Sequence, residues 1–406
     1  MMTENTTAEE RRRMSAAFDC RLSRPGVVCS LGDDLETIGR ALFAGERGLT
    51  LGDTFTPGKP LPLGQVIGDL PSDGEWPKDH RSRNNRLLAL ALMRLGSEID
   101  RLLARVPSDR IGVVIGTSTS GIGETEVALA ASGREAPLPE DFSYARQELG
   151  APARFIAERL GVTGPCYALS TACSSSARAL ASARRLLKSG QCDAVIAGGA
   201  DSLCRLTVNG FASLEAVSDR PCLPFSRHRN GINLGEAAAL FVVTPEPGGI
   251  QLAGVGESVD AHHISAPIPD GSGAAEAMRQ ALQMAGLDAS AIDYLNLHGT
   301  GTPLNDSMEA AAVTRLFPDP PACSSTKALT GHTLGAAGAL EAAFCWLALD
   351  RGHLPIHVFD DHYDPDIPAL PLVTQNASPK RRLRHALSNS FAFGGNNASL
   401  LLTRID

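Results

Sequence analysis

The sequence predicts an α/β protein built from two related halves, and three observations lead there. Short β-branched runs alternate with stretches of helical apolar periodicity, a Pro/Gly cluster (Pro245-Glu246-Pro247-Gly248-Gly249) interrupts them near the middle, and the motif order before that break recurs after it. Strands enclosed by helices are buried on both faces, so they read as continuous apolar runs rather than alternating ones. The expected boundaries are a flexible tail at 1–14, an N-terminal half at 15–246 and a C-terminal half at 247–406.

In chain order, the segment Phe18-Asp19-Cys20-Arg21-Leu22-Ser23-Arg24-Pro25 is broken by charges and proline, so any first strand is short. An apolar helical run follows at 87–95. Strands are expected at 111–117, 193–199, 239–244 and 292–297, where β-branched residues cluster between turn signals. A helix is expected after Cys173, because Leu180, Ala183, Leu186 and Leu187 recur at helical spacing while Arg178, Arg184, Arg185 and Lys188 supply a polar face. The repeat places Ser170-Thr171 before Cys173 and Ser325-Thr326 before Lys327, each leading into an Ala-rich helix. The stretch 231–243 is likewise echoed by 393–402.

With 406 residues and 43% hydrophobic content, the chain has enough apolar surface for a large core. A net charge of -8 argues against broad nucleic-acid binding, which needs a basic footprint. Nine cysteines without regular spacing read neither as a disulfide framework nor as a zinc site, and suit a reducing cytoplasm. The polar stretch 1–14 holds no apolar core of the length expected of a signal peptide, and the apolar stretch 336–349, interrupted by Glu341, is too short to span a bilayer. The pair Gly254 and Gly256 lacks the third glycine of a dinucleotide fingerprint.

The candidate nucleophile is Cys173, in Ser170-Thr171-Ala172-Cys173-Ser174-Ser175-Ser176. A thiol at a helix N-terminus lies beside unpaired N–H groups and the positive end of the macrodipole, an arrangement expected to favour thiolate. A small buried apolar side chain is the structural alternative. Two histidines lie in Gly/Thr-rich turns: His298 in His298-Gly299-Thr300-Gly301-Thr302-Pro303, and His332 in Ser325-Thr326-Lys327-Ala328-Leu329-Thr330-Gly331-His332. Each alone would more often be structural.

Together with Asn389-Ser390-Phe391-Ala392-Phe393-Gly394-Gly395-Asn396-Asn397 and Pro224-Phe225-Ser226-Arg227-His228-Arg229-Asn230-Gly231, these motifs resemble the β-ketoacyl-[acyl-carrier-protein] synthase family of the thiolase superfamily, ketosynthase I/II type. The resemblance runs from about Pro25 onward, and around 202–236 it is similar to ketosynthases of aryl-polyene pathways. It implies a thiolase-like fold, two duplicated α/β halves in a five-layered αβαβα arrangement. It also implies a decarboxylative Claisen condensation of an acyl group on Cys173 with malonyl carrier protein, in fatty-acid, polyketide or aryl-polyene elongation.

By that resemblance Cys173, His298, His332 and Lys327 are catalytic, and the N–H groups of Cys173 and Phe393 form the oxyanion hole. The two imidazoles hold the enolate oxygen, and Lys327 favours thiolate and enolate alike. Glu309 and Asp306 support the site, with Glu309 as the expected partner of Lys327, although Asp306 also reads as a helix N-terminal acid. Thr300 and Thr302 would bind the pantetheine arm, or else make local turn bonds. The acyl pocket is expected to draw on 118–124, Phe155, Leu206 and Phe393. Arg81, Arg83 and Arg86 could form a carrier-docking patch, or a solvated helix face. Gly301 replaces a serine frequent in the family.

No cofactor is implied, since the thioester is itself the electron sink. The implied partners are an acyl carrier protein and a homodimer mate or a chain-length-factor-like homologue, with no nucleic acid and no membrane. Three rivals compete. A thiolase typically uses a second cysteine and one histidine, and a non-elongating chain-length-factor-like subunit usually lacks the nucleophile. A cysteine hydrolase finds only an approximate elbow at 116–120.

Overall fold

The computed structural model describes residues 18–132, 137–375, 379 and 381–406; the tail expected at 1–14 lies outside them. The chain opens with β1 (Arg21–Leu22) and β2 (Gly26–Cys29), the first strand being short as its charges and proline require. Helix α1 (Leu35–Ala44) is capped by Asp34, whose carboxylate accepts the N–H groups of Glu36 and Thr37. A hairpin, β3 (Thr50–Gly52) and β4 (Leu61–Leu63), precedes α2 (Arg83–Leu95) and α3 (Ser97–Arg105). Next come β5 (Ile111–Gly116), α4 (Ile122–Ser132), α5 (Ala151–Leu160), β6 (Cys166–Leu169), α6 (Ser175–Lys188), β7 (Ala194–Asp201), α7 (Arg205–Ser213) and β8 (Ala237–Thr244).

After the Pro/Gly break the pattern repeats. It runs β9 (Gly249–Val259), α8 (Ser272–Ala285), β10 (Tyr294–Asn296), α9 (Pro303–Leu316), β11 (Ala322–Ser324), α10 (Lys327–Thr330), α11 (Ala337–Arg351), β12 (His385–Ala392) and β13 (Asn396–Ile405). All the strands expected from sequence are present. The expected list omitted, among others, the edge strands β6 and β11, the hairpin β12–β13 and the long strand β9.

The duplication is visible in the pairing. One run reads β6-β5-β7-β8-β2 and the other β11-β10-β12-β13-β9; in each, the successive pairs are parallel, parallel, antiparallel and antiparallel. Strand β1 bridges them, pairing with β8 on one side and β9 on the other, so the two runs join in one 11-stranded sheet from which, among the described strands, only the β3–β4 hairpin stands apart. Helix α2 covers β2 and β8, its counterpart α8 covers β9 and β13, and α6 packs against α11 between the two runs. That is the five-layered order of a thiolase-like fold.

Although α6 is a middle layer, Arg185 and Lys188 of its expected polar face are exposed, and the rest of that face is not. Arg184 is buried beneath the Phe18 ring at 5.6 Å, and Arg178 and Arg185 reach across to Glu257 of β9. In β9, Gly254 and Gly256 serve packing: a Cβ there would lie 2.0 Å from the Ala281 carbonyl oxygen and 1.7 Å from that of Ala277, so only glycine lets α8 approach so closely. No described helix is long and apolar enough to cross a membrane.

Candidate active site

Cys173 sits in the turn between β6 and α6, two residues before the helix begins. Ala172, just before it, has φ 52°, a left-handed conformation that costs a non-glycine residue on the order of 1–2 kcal/mol. The turn is held by Ser175, whose hydroxyl donates to the Ala172 carbonyl at 2.5 Å and accepts the Thr171 N–H at 2.9 Å. The Cys173 thiol is thus fixed by a strained bend that its own helix start over-determines.

Both histidines arrive from the C-terminal half. His332 follows α10; its N–H donates to the Asn233 carbonyl at 2.7 Å and its carbonyl accepts the Gly235 N–H at 3.0 Å. Its Nε2 lies 3.0 Å from Cys173 Sγ. His298 leaves the end of β10, and its ring meets that of His332 edge-on at 5.4 Å. One donor atom from each of Cys173, His298 and His332 lies within 4.8 Å of the others. These are zinc-type ligands, but the Lys327 cation disfavours a proton on either ring and would oppose a metal cation in the same way.

Burial decides the protonation states. It pushes the Cys173 thiol up to about 11, against the opposing pull of Lys327 and of the Phe393 and Cys173 N–H groups. The backbone N–H groups and Lys327 favour thiolate as expected, but desolvation of the buried sulfur outweighs them. Burial first, then the Lys327 charge, hold both imidazoles well below the usual histidine range, so both are neutral. A neutral imidazole offers one N–H and one lone pair.

Lys327 pairs with Glu341 of α11, both side chains being buried, and not with Glu309. The sequence signal for Glu341 was the lone acid interrupting an otherwise apolar run, since a buried acid needs a partner. Glu309 instead accepts the N–H groups of His298 and Gly299 at 2.8 and 2.7 Å, and Asn389 Nδ2 at 3.1 Å; burial pushes it up to about 7. It pins the backbone that carries His298. Asp306 lies in the first turn of α9 and also ties two loops, accepting the Phe225 and Gly301 N–H groups. Both readings of Asp306 hold together.

A cavity of about 340 Å³ leads to the sulfur, its wall including Cys173, His298, His332, Thr300, Thr302 and Phe393. The threonine hydroxyls lie 2.9 Å apart. Phe393 is 37% exposed and stacks on Phe211 at 5.4 Å, so it is no core aromatic, while its N–H points at Cys173. Gly394 and Gly395, at φ 77° and 71°, supply the turn beneath it.

Other expectations are corrected. Phe155 packs against Trp76 and His80 in the outer layer, away from the cavity wall, and Leu206 is an exposed residue of α7 that does not line it. Arg81, Arg83 and Arg86 do not form a free cationic patch. Arg83 is bound to buried Glu236 at 2.5 and 2.8 Å, Arg86 donates to the Pro71 and Leu70 carbonyls, and Arg81 to that of Trp76. They fasten the 66–76 segment onto α2.

The chain matches the family models for the β-ketoacyl synthase N-terminal domain over residues 88–247 and C-terminal domain over 250–358. Nodulation protein E of Rhizobium meliloti is 37% identical over 308 residues, 73% of this chain and 76% of that protein. The 3-oxoacyl-[acyl-carrier-protein] synthase 2 of Rhizobium meliloti (strain 1021) is 36% identical over 315 residues, covering 72% and 74%. Among solved structures, the ketosynthase ApeO in complex with its chain length factor ApeC from Xenorhabdus doucetiae matches with TM-score 0.90 and 45% identity, covering 95% of this chain and 98% of that one. The ishigamide ketosynthase/chain length factor matches at TM-score 0.87 and 28% identity, covering 96% and 100%. The chain belongs to the β-ketoacyl synthase family. It is an acyltransferase, a ketosynthase of the elongating type.

Proposed function

We propose that the chain elongates an aryl-polyene-type acyl chain, carried on Cys173, by condensation with malonyl carrier protein. The observation that carries the residue roles is the convergence of Cys173, His332 and His298 on one cavity from opposite halves of the chain, with the buried Lys327 charge acting on the thiol from behind it. In acyl transfer, His332 takes the Cys173 proton as sulfur attacks the thioester carbonyl. The oxyanion accepts the N–H groups of Cys173 and Phe393, and the departing pantetheine sulfur leaves with the proton. In condensation, malonyl C–C cleavage releases CO2 and leaves an enolate whose oxygen accepts imidazole N–H bonds from His298 and His332. Its carbon attacks the acyl carbonyl, expelling the Cys173 thiolate, which Lys327 stabilises. Thr300 and Thr302 hydrogen-bond the amides of the pantetheine arm.

No metal or organic cofactor enters this scheme, because the thioester carbonyl receives the electrons. A second, ketosynthase-like subunit suits the surface: β6 is a sheet edge, and Val127, Leu129 and Tyr144, in the segment before α5, are 70%, 52% and 66% exposed. The named complexes of the two solved relatives favour a chain-length-factor-like mate, and a cytoplasmic setting fits the free thiols. Cys173→Ala should abolish acyl-enzyme formation in intact-protein mass spectra while the protein stays folded. His298→Ala or His332→Ala should suppress malonyl decarboxylation more than acyl transfer, and normal decarboxylation in both variants would refute the enolate role.

A further inference from the structure

We infer that His228, Asp360 and His362 form a surface site for a zinc-class divalent cation, separate from the acyl-transfer cavity. Each residue offers one ligand atom, and the three atoms lie within 4.8 Å of one another. His228 Nδ1 is 2.7 Å from Asp360 Oδ2, and the two imidazole rings are 5.2 Å apart. His362 Nδ1 lies 2.6 Å from the Asp360 carbonyl oxygen, which can only accept; that bond places the ring's proton on Nδ1 and leaves the Nε2 lone pair for a metal.

The backbone beneath the cluster is already fixed. Ser226 and Tyr363 form an antiparallel bridge, the Arg227 N–H donates to the His362 carbonyl at 2.9 Å, and the Asp364 N–H donates to the Phe225 carbonyl at 3.0 Å. Both imidazoles are exposed but hydrogen-bonded to Asp360 through Nδ1, so a tetrahedral zinc ion, with bonds of roughly 2.0–2.2 Å, requires the side chains to rotate and exchange hydrogen bonds for metal bonds. The loop also carries Asp361, Asp364 and Asp366, so that with Asp360 four aspartates face two arginines, Arg229, which is bound to Asp364 at 2.5 Å, and the exposed Arg227. The local field therefore favours a cation.

Two imidazoles and one carboxylate suit zinc, nickel or copper rather than magnesium or calcium, which prefer all-oxygen shells. Such an ion would clamp the 224–231 segment, whose Asn230 and Gly231 line the catalytic cavity, to the 359–366 loop. No step of the acyl transfer uses these three residues.

The test uses untagged full-length protein carrying Cys173→Ala, so that the active-site thiol cannot compete, and equilibrium dialysis against Zn2+ alone. A single Zn2+ per chain is expected, weakened about tenfold or more in the His228→Ala/His362→Ala background. In a second measurement, on the wild-type chain, Zn2+ should protect His228 and His362 from diethylpyrocarbonate, mapped by peptide mass. Undiminished Zn2+ binding after loss of both histidines would overturn the site, as would unprotected modification of both rings at saturating Zn2+.

Discussion

At the scale of single residues, the site is a contest between burial and charge. Cys173 is pushed up to about 11, so iodoacetamide alkylation should rise about tenfold per pH unit from 7 to 9 without levelling off. Lys327 lowers that thiol, so Lys327→Ala raises it further and should slow alkylation at every pH tested; a plateau below pH 9 in the wild-type chain would contradict the buried-thiol account. Glu341→Ala removes the carboxylate that faces a buried ammonium. Breaking a buried pair by deleting one partner costs about 3–5 kcal/mol, and the loss should show in the denaturant midpoint. That Cys173, His298 and His332 meet around one cavity was legible because each sits in a short motif with few alternatives. Glu341 was not assigned, because pairing across two helix starts is a property of folded space, and Glu309 was the acid nearer His298 in the chain.

At the scale of elements, strands enclosed by helices announced themselves through β-branched runs, whereas β9 was hidden by the glycines that make it work. Gly254 and Gly256 weaken a strand signal, yet they admit the backbone of α8. Gly256→Ala would set a methyl group against the Ala277 carbonyl, forcing α8 outward. Overpacking of this kind costs about 1–3 kcal/mol, and a melting temperature unchanged from that of the parent would refute the packing role. The arginines of α2 illustrate the opposite failure. Composition marked them as a basic cluster, but Glu236, 153 positions after Arg83, neutralises the one expected at the centre of the patch. Likewise α6 carries four basic residues and reads as amphipathic, although it lies between two layers and satisfies two of them on Glu257.

For the whole molecule, the internal repeat was readable as motif order, and the pairing of β2 with β8 and of β9 with β13 makes it a structural duplication. The sequence could not reveal that the halves share one core. A single apolar cluster contains Leu180 and Val195 from the first half together with Leu340, Leu347 and Leu400 from the second, because α6 and α11 bury their faces on each other. The cluster of Cys173, His298 and His332 is divided in the same way, with sulfur from one half and both imidazoles from the other. Neither half can hide its middle-layer helix alone, so the halves should not unfold independently. Scanning calorimetry should show a single transition with equal calorimetric and van't Hoff enthalpies. Separately expressed 18–246 and 247–406 should each be aggregation-prone, recovering Cys173 acylation only when co-expressed. Two resolved transitions, or a soluble, cooperatively folded half, would show instead that the shared layer is a docking contact between finished domains.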